Sequence, residues 1–189
     1  YKRFEVDPQG LILNNSGQPV NTQIGGYIPG NAHLGSGSAR LILNEVGGSL
    51  PSQLNGYVEV AGQKAEVVIA NPSGITCNGC GFINTSVGTL TTGKPLFDSD
   101  GSLNGFRVEG GQLYFEGAGL NASNTDRLNL FSRALVLNAE LHAKDLKIIT
   151  GSNQVVYETG TATSIGSSST APAFAIDSSS LGGMYANRI

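Results

Sequence analysis

Three short apolar runs, each closed by asparagine, punctuate this chain: Leu11-Ile12-Leu13-Asn14, Leu41-Ile42-Leu43-Asn44 and Leu135-Val136-Leu137-Asn138. Internal similarity of this kind points to stacked units. Leu113 recurs at Leu135 and Leu120 at Leu141, offsets of about 21 residues that suit one coil of a β-solenoid. Between these points the pattern predicts short strands at 57–60, 66–70, 88–91, 106–109, 112–116 and 145–150. Most are rich in β-branched or aromatic residues and stop at Gly or Asn.

The rival to this reading is 126–144. There Leu128, Phe131, Leu135 and His142 approach helical spacing, and Asn124 or Thr125 offers a cap. Leu135, Leu137, Ala139 and Leu141 also alternate with period two, which favours strand. In 95–105, Asp98-Ser99-Asp100-Gly101 lies between two β-prone runs and predicts a hairpin turn projecting from the main body. From 151 to 173 the composition shifts to Ser, Thr, Gly and Ala, as in Thr161-Ala162-Thr163-Ser164-Ile165-Gly166-Ser167-Ser168-Ser169. This reads as a poorly packed loop before structure resumes near Phe174.

Composition supports β structure. Charged residues are 13% of the 189, well below the usual level of about 25%, and 27 glycines exceed the usual share of about 7%. The length suits one domain. A net charge of −3 without a block of Lys or Arg leaves no footprint for nucleic acid or an anionic membrane. No run of 18 apolar residues occurs. Tyr1 is neither an initiator Met nor the start of a leader, so the expectation is an excised piece whose signal peptide has already gone.

The densest signal is the apolar strand Val67-Val68-Ile69-Ala70 running into Asn71-Pro72-Ser73-Gly74, with Cys77 and Cys80 following among glycines. Two cysteines cannot complete a tetrahedral zinc site, and His33 and His142 stand at no finger spacing. A redox CxxC normally opens a helix, whereas Gly79 and Gly81 surround this one. A structural disulfide across a tight turn is the preferred reading in an oxidising compartment, with free thiols as the alternative.

Candidate chemistry elsewhere is thin. Gly117-Ala118-Gly119-Leu120-Asn121-Ala122 matches the dinucleotide pattern GxGxxA, but polar residues follow it where an apolar helix is required, so it reads as a β-turn. Asp98 and Asp100 begin like a calcium loop that Ser102 interrupts and no Glu closes. The 14 acidic residues are scattered, and no carboxylate pair for glycan cleavage can be named. His33 and His142 lie near no convincing nucleophile, the nearest hydroxyls being Ser36 and Ser38. Asn44, Asn71, Asn84 and Asn138 are expected to line up in adjacent turns as an amide ladder.

The stretch from Glu59 through Cys77 and on through Thr89-Leu90-Thr91-Thr92-Gly93-Lys94-Pro95 resembles the two-partner secretion domain. That is the N-terminal module, also known for a haemagglutination activity, of filamentous haemagglutinins, two-partner haemolysins and CdiA-type contact-dependent growth inhibition toxins. Ser38-Ala39-Arg40-Leu41-Ile42-Leu43-Asn44-Glu45-Val46, Ser132-Arg133-Ala134-Leu135-Val136-Leu137-Asn138-Ala139 and Ala143-Lys144-Asp145-Leu146-Lys147-Ile148-Ile149-Thr150-Gly151 extend the likeness over nearly the whole chain. The ending, Pro172-Ala173-Phe174-Ala175-Ile176-Asp177 with Leu181-Gly182-Gly183-Met184-Tyr185-Ala186, is most similar to the CdiA-type branch.

The resemblance implies an all-β fold, a right-handed parallel β-helix with an N-terminal cap and a small extra-helical antiparallel sheet or hairpin. On this reading residues 1–189 form one domain, with the cap at 1–30, the core at 31–150, a loop-rich part at 151–173 and a resumed coil at 174–189. The family's NPNG turn falls on Asn71, Pro72, Ser73 and Gly74, with Ser in place of the second Asn. Its NPNL turn falls on Asn31-Ala32-His33-Leu34, with Ala and His replacing Pro and Asn. The Cys77 and Cys80 pair is similar to that of the haemolysin and CdiA-type branch, which implies a disulfide.

The implied role is to address a larger exoprotein to its outer-membrane β-barrel transporter, through periplasmic POTRA domains, and to nucleate β-helix folding on export. The implied destination is the bacterial surface or extracellular space. No catalytic residue, metal, cofactor, nucleic acid or small-molecule substrate is expected, and the chain is expected to be a monomer. The alternatives are a secretion domain of a haemolysin or haemagglutinin, a directly surface-binding adhesin, and a polysaccharide-cleaving β-helix enzyme.

Overall fold

The structure is a computed structural model that describes residues 1–35, 37–166 and 170–189. Its strands wind in successive coils. In the first, a parallel bridge at Val6 is followed by β1 (Leu11–Asn15), the hairpin β2 (Val20–Thr22) and β3 (Gly26–Ile28), a 3-10 turn at Ala32–Leu34, and β4 (Leu41–Glu45). The second is β5 (Ser52–Leu54), β6 (Tyr57–Gly62) and β7 (Ala65–Ala70). The third is β8 (Ile75–Ile83) and β9 (Thr85–Thr91), after which β10 (Lys94–Phe97) and β11 (Leu103–Val108) leave the coil. The fourth is β12 (Gln112–Ala122) and β13 (Arg127–Ser132). The fifth is β14 (Ala134–Leu137) and β15 (Glu140–Thr150), followed by β16 (Asn153–Val156) and β17 (Ala162–Ser164), and β18 (Ile176–Ser178) and β19 (Gly183–Arg188) begin the sixth.

Parallel pairing stacks these coils into three faces. On the first, Leu54, Cys77, Phe115 and Leu137 stand in one register. On the second, Tyr57, Gly81, Asn121, His142 and Tyr185 do. On the third, Leu43, Val68, Thr89, Asn129 and Lys147 do. A chain that returns to the same register after each coil is a parallel β-helix, and the apolar-Asn theme of the sequence is its repeating rung.

Alternation decides which side chains enter the core. Val67, Ile69, Leu90, Leu128 and Leu130 point inward on the third face and are essentially inaccessible, as are Leu113, Leu120, Leu135 and Leu141 on the other two. The third face is apolar outside as well, since Val68, Ala70 and Phe131 point away from the axis and are also buried. A parallel strand covered on both sides reads as a continuous apolar run, which is why residues 65–70 lack alternation.

The cover is a four-stranded antiparallel sheet in the order β10-β11-β16-β17. It lays Phe106, Val108 and Val155 onto the outside of the third face. Phe106 sits between Phe131 and Tyr157, with ring centroids 6.2 and 5.8 Å away. Fully burying one such ring is worth about 1.5–3 kcal/mol. The expected turn at 98–101 joins β10 to β11, closed by Gly101 N–H donating to Asp98 at 2.9 Å.

Residues 126–144 hold strands and no helix, as the period-two alternation predicts, because those positions fill the core. Other expectations change. The Ser/Thr-rich stretch is not simply loop: β16 pairs with β11, and β17 with β16, so short strands of low hydropathy are held by a sheet formed across a long sequence gap. Its residues 167–169 lie outside the described residues. The GxGxxA motif is an irregularity inside β12, where the register with β8 shifts between Glu116 and Leu120.

Candidate functional site

The Asn71–Gly74 turn joins the third face of the second coil to the first face of the third. Its sequence suits a type I turn, with Asn first, Pro at the position that wants φ near −65°, and Gly last. Gly74 N–H donates to the Asn71 carbonyl at 3.0 Å, and Ser73 N–H donates to Asn71 Oδ1 at 2.9 Å. The Asn71 side chain is wholly buried, and its amide nitrogen donates to the Leu50 carbonyl at 3.0 Å and to Ser52 Oγ at 2.9 Å. Ser73 Oγ donates to the Gly48 carbonyl at 3.0 Å. The turn is thereby riveted to the coil below, while Pro72 and Ser73 keep part of their surface in solvent.

Above, Gly111 packs against it so closely that a Cβ there would lie 2.6 Å from the Pro72 carbonyl oxygen. Gly74 itself has φ +116°, a conformation that favours glycine.

Asn31–Leu34 is built by the same device. Asn31 caps the 3-10 turn, its Oδ1 accepting from His33 N–H at 2.9 Å, while its amide nitrogen donates to the Asn14 carbonyl at 3.0 Å. Ala and His in place of Pro and Asn therefore leave the asparagine wiring intact. His33 is exposed, Leu34 is half-buried and Ser38 is half-buried, whereas Ser36 lies outside the described residues. Among the described residues no hydrogen bond connects the two turns; Asn31 is tied to the first coil and Asn71 to the second. The partners Leu50, Ser52 and Asn14 were invisible to sequence reasoning, because nothing local marks a contact about 20 residues away.

Cys77 and Cys80 form a disulfide within β8, at the corner where the strand passes from the first to the second face. Both are buried, and Cys77 Sγ lies 3.1 Å from the Gly119 carbonyl oxygen in the coil above. Gly117 and Gly119, at φ +57° and +67°, let β12 bulge around this corner. A Cβ on Gly119 would meet the Glu140 carbonyl at 2.0 Å and one on Gly117 the Asn78 amide at 2.1 Å, so these glycines serve close packing of coils.

The amide ladder does not form. Asn44 donates to the Val68 carbonyl, Asn84 to the Val60 and Gly62 carbonyls, and Asn138 to the Tyr114 hydroxyl. Each pairs with a carbonyl or hydroxyl of a neighbouring coil in preference to another amide.

The carboxylates that only begin like a calcium loop are already engaged. Asp100 accepts from Ser102 N–H and Oγ–H, which hold its pKa below the usual carboxylate value, and Asp98 accepts from Asn104. His142 stands 2.9 Å from a Glu140 carboxylate oxygen and stacks on Tyr185. No cluster of metal-ligating side chains occurs among the described residues. No helix among them is long and apolar enough to cross a membrane.

With two asparagine-wired turns on a disulfide-closed β-helix, the deciding comparison is the sequence profile of the TPS secretion domain, which matches residues 1–189. The chain belongs to the TPS secretion domain family.

It is 51% identical over its whole length to the 16S rRNA endonuclease CdiA of Enterobacter cloacae and 50% to the tRNA nuclease CdiA-2 of Burkholderia pseudomallei. It is 47% identical over 98% of its length to the toxin CdiA of Escherichia coli. The chain spans about 6% of the length of these relatives. The crystal structure of the filamentous hemagglutinin secretion domain matches with a TM-score of 0.89 at 32% identity, covering 97% of this chain and 64% of that one. The expected parallel β-helix, its added antiparallel sheet and the TPS assignment thus hold, and exoproteins carrying this domain are secreted to the cell surface or beyond.

Proposed function

We propose that this TPS domain is the address read by a cognate outer-membrane transporter, through its POTRA domains, and that the Asn71–Gly74 and Asn31–Leu34 turns are the features read. The observation that carries the reading is the wiring of Asn71. A wholly buried side chain fixes the turn to the start of the coil below, and Pro72 and Ser73 are left presented at the surface. A rigid, partly exposed turn loses little conformational entropy when a partner binds it.

The same domain acts as a monomer and catalyses nothing. Its parent is a CdiA-type contact-dependent growth inhibition toxin, in line with the names of the relatives. Outside the cell, each coil buries apolar rows only when the next one stacks on it, so folding proceeds coil by coil and opposes return through the barrel. No ATP is required at the outer membrane.

The test is export of a reporter fused to this domain, in cells with the cognate transporter, together with thermal melting of the same purified variants. Pro72→Lys is expected to abolish export while leaving the melting midpoint in place. Export at the unaltered level would remove the turn from the recognition surface.

A further inference from the structure

The Cys77–Cys80 disulfide is closed in by the coils on either side of it. Cys77 stands in register with Phe115 and Cys80 with Leu120, both on β12 above, and Leu54 on β5 faces Cys77 from below. The two cysteines are only 1% and 3% exposed. Forming a disulfide by exchange needs an attacking thiolate and an oxidant that can reach it. Neither condition is met once β12 is in place. Both residues are closed to solvent, and the Gly119 carbonyl oxygen, 3.1 Å from Cys77 Sγ, would accept the proton of a thiol at that position and hold it there. A chain that coiled first would keep thiols it could not afterwards join.

We propose that the disulfide is made on the unstacked chain, before the fourth coil closes over the third, by exchange with a disulfide-bearing oxidant. One cysteine thiolate attacks a sulfur of the oxidant and displaces the other sulfur as a thiol. The second cysteine thiolate then attacks the mixed disulfide, closing the Cys77–Cys80 bond and releasing the second thiol. Two electrons and two protons pass from the cysteines to the oxidant, which leaves as thiol. The place for this step is the periplasm, an oxidising compartment, and that assignment rests on the export reading above, in which the chain crosses it before its coils stack. The ring encloses only Asn78 and Gly79, so the cross-linked chain remains a single file that a barrel can thread.

The test unfolds and reduces the whole 189-residue chain, adds glutathione disulfide either before or after dilution out of denaturant, and follows free thiols by alkylation and mass. The unfolded chain is expected to oxidise and then refold with the bond in place. The chain refolded as thiols is expected to oxidise about a hundredfold more slowly, through rare local openings. A reduced chain that does not coil until it is oxidised supports the same order. A folded, reduced chain that oxidises as fast as the unfolded one overturns the proposal. In cells without the transporter, which hold the chain in the periplasm, alkylation at harvest is expected to find the disulfide already formed, and free thiols there would overturn the periplasmic step. Neither arm contains the transporter, so failure of the export reading, seen as unaltered export of Pro72→Lys, is distinguishable from failure of this one.

Discussion

The Tyr157 hydroxyl donates to Glu66 Oε2 at 2.5 Å, joining the extra-helical sheet to the third face of the β-helix across a separation of 91 residues. Burial, and then the bond to Glu66, push the tyrosine pKa well above its ordinary value. A group whose folded pKa is raised lends stability in full below its unfolded pKa. For tyrosine that limit is about 10, and the contribution is lost as pH climbs beyond it, because the unfolded chain then releases a proton that the folded chain keeps. Tyr157→Phe should therefore cost about 1–3 kcal/mol at neutral pH, since Glu66 loses its donor. The difference from the parent should narrow between pH 10 and 12, as about 1.4 kcal/mol per pH unit of linkage disappears from the parent alone. Denaturant titrations across that range check it, and a difference independent of pH would refute the linkage.

Asn71→Ala removes two donated bonds and one accepted bond from a site closed to water. The stranded Leu50 carbonyl, Ser52 hydroxyl and Ser73 N–H should cost about 2–4 kcal/mol together. Asn31→Ala removes an equivalent cap at a half-exposed position, where water replaces the lost partners, and should cost only about 1 kcal/mol. Calorimetric melting of the two variants measures the gap, and equal losses would contradict the burial argument.

What could be read in the chain was whatever repeats locally. Leu135, Leu137, Ala139 and Leu141 announced a strand because each returns to the core after two residues, and Asp98 to Gly101 announced a hairpin because a turn is written in four adjacent positions. The two asparagine turns were placed by likeness to a family. Their anchoring was not legible, because Asn71 finds Leu50 and Ser52 only after the coils have stacked. The same holds for β16 and β17, which lack apolar alternation of their own and exist by pairing to β11. Glu59 carries the lesson further. It lies in a strand predicted at 57–60, and nothing local shows that it is buried with its carboxylate accepting from the Gln23 and Ile24 N–H groups, pinning the β2–β3 hairpin onto β6.

That pin is testable. Glu59→Gln keeps the shape of the side chain but loses the charge that strengthens its bonds to backbone N–H groups and replaces one acceptor oxygen with a donor. It should loosen the hairpin without unfolding the coils, at a cost of about 1.5–3 kcal/mol for hydrogen bonds to a charged group. Amide exchange should quicken at residues 20–28 and stay slow in β7 and β9. Uniform acceleration through the whole chain would mean that the hairpin and the coils open as one unit.

Gly119 and Gly47 separate glycines that the stacking requires from those it merely tolerates. A methyl group on Gly119 would drive into the Glu140 backbone carbonyl at a left-handed φ of +67°, whereas one on Gly47 meets nothing within 4 Å. Gly119→Ala should destabilise by more than about 2 kcal/mol through overpacking and strain, with Gly47→Ala neutral to within about 0.5 kcal/mol. Because Gly119 also sits over Cys77, the strained variant should bring the disulfide within reach of reductant. The cross-link itself closes a loop of few residues, which on the chain-entropy estimate is worth about 2 kcal/mol. Removing it through Cys77→Ala with Cys80→Ala should therefore lower the midpoint modestly and leave the β-sheet signal of the folded chain intact. If the double variant failed to fold, the corner would depend on the sulfur bridge for more than the entropy of a short loop, and the coil stacking argued from Gly117 and Gly119 would be insufficient to hold it.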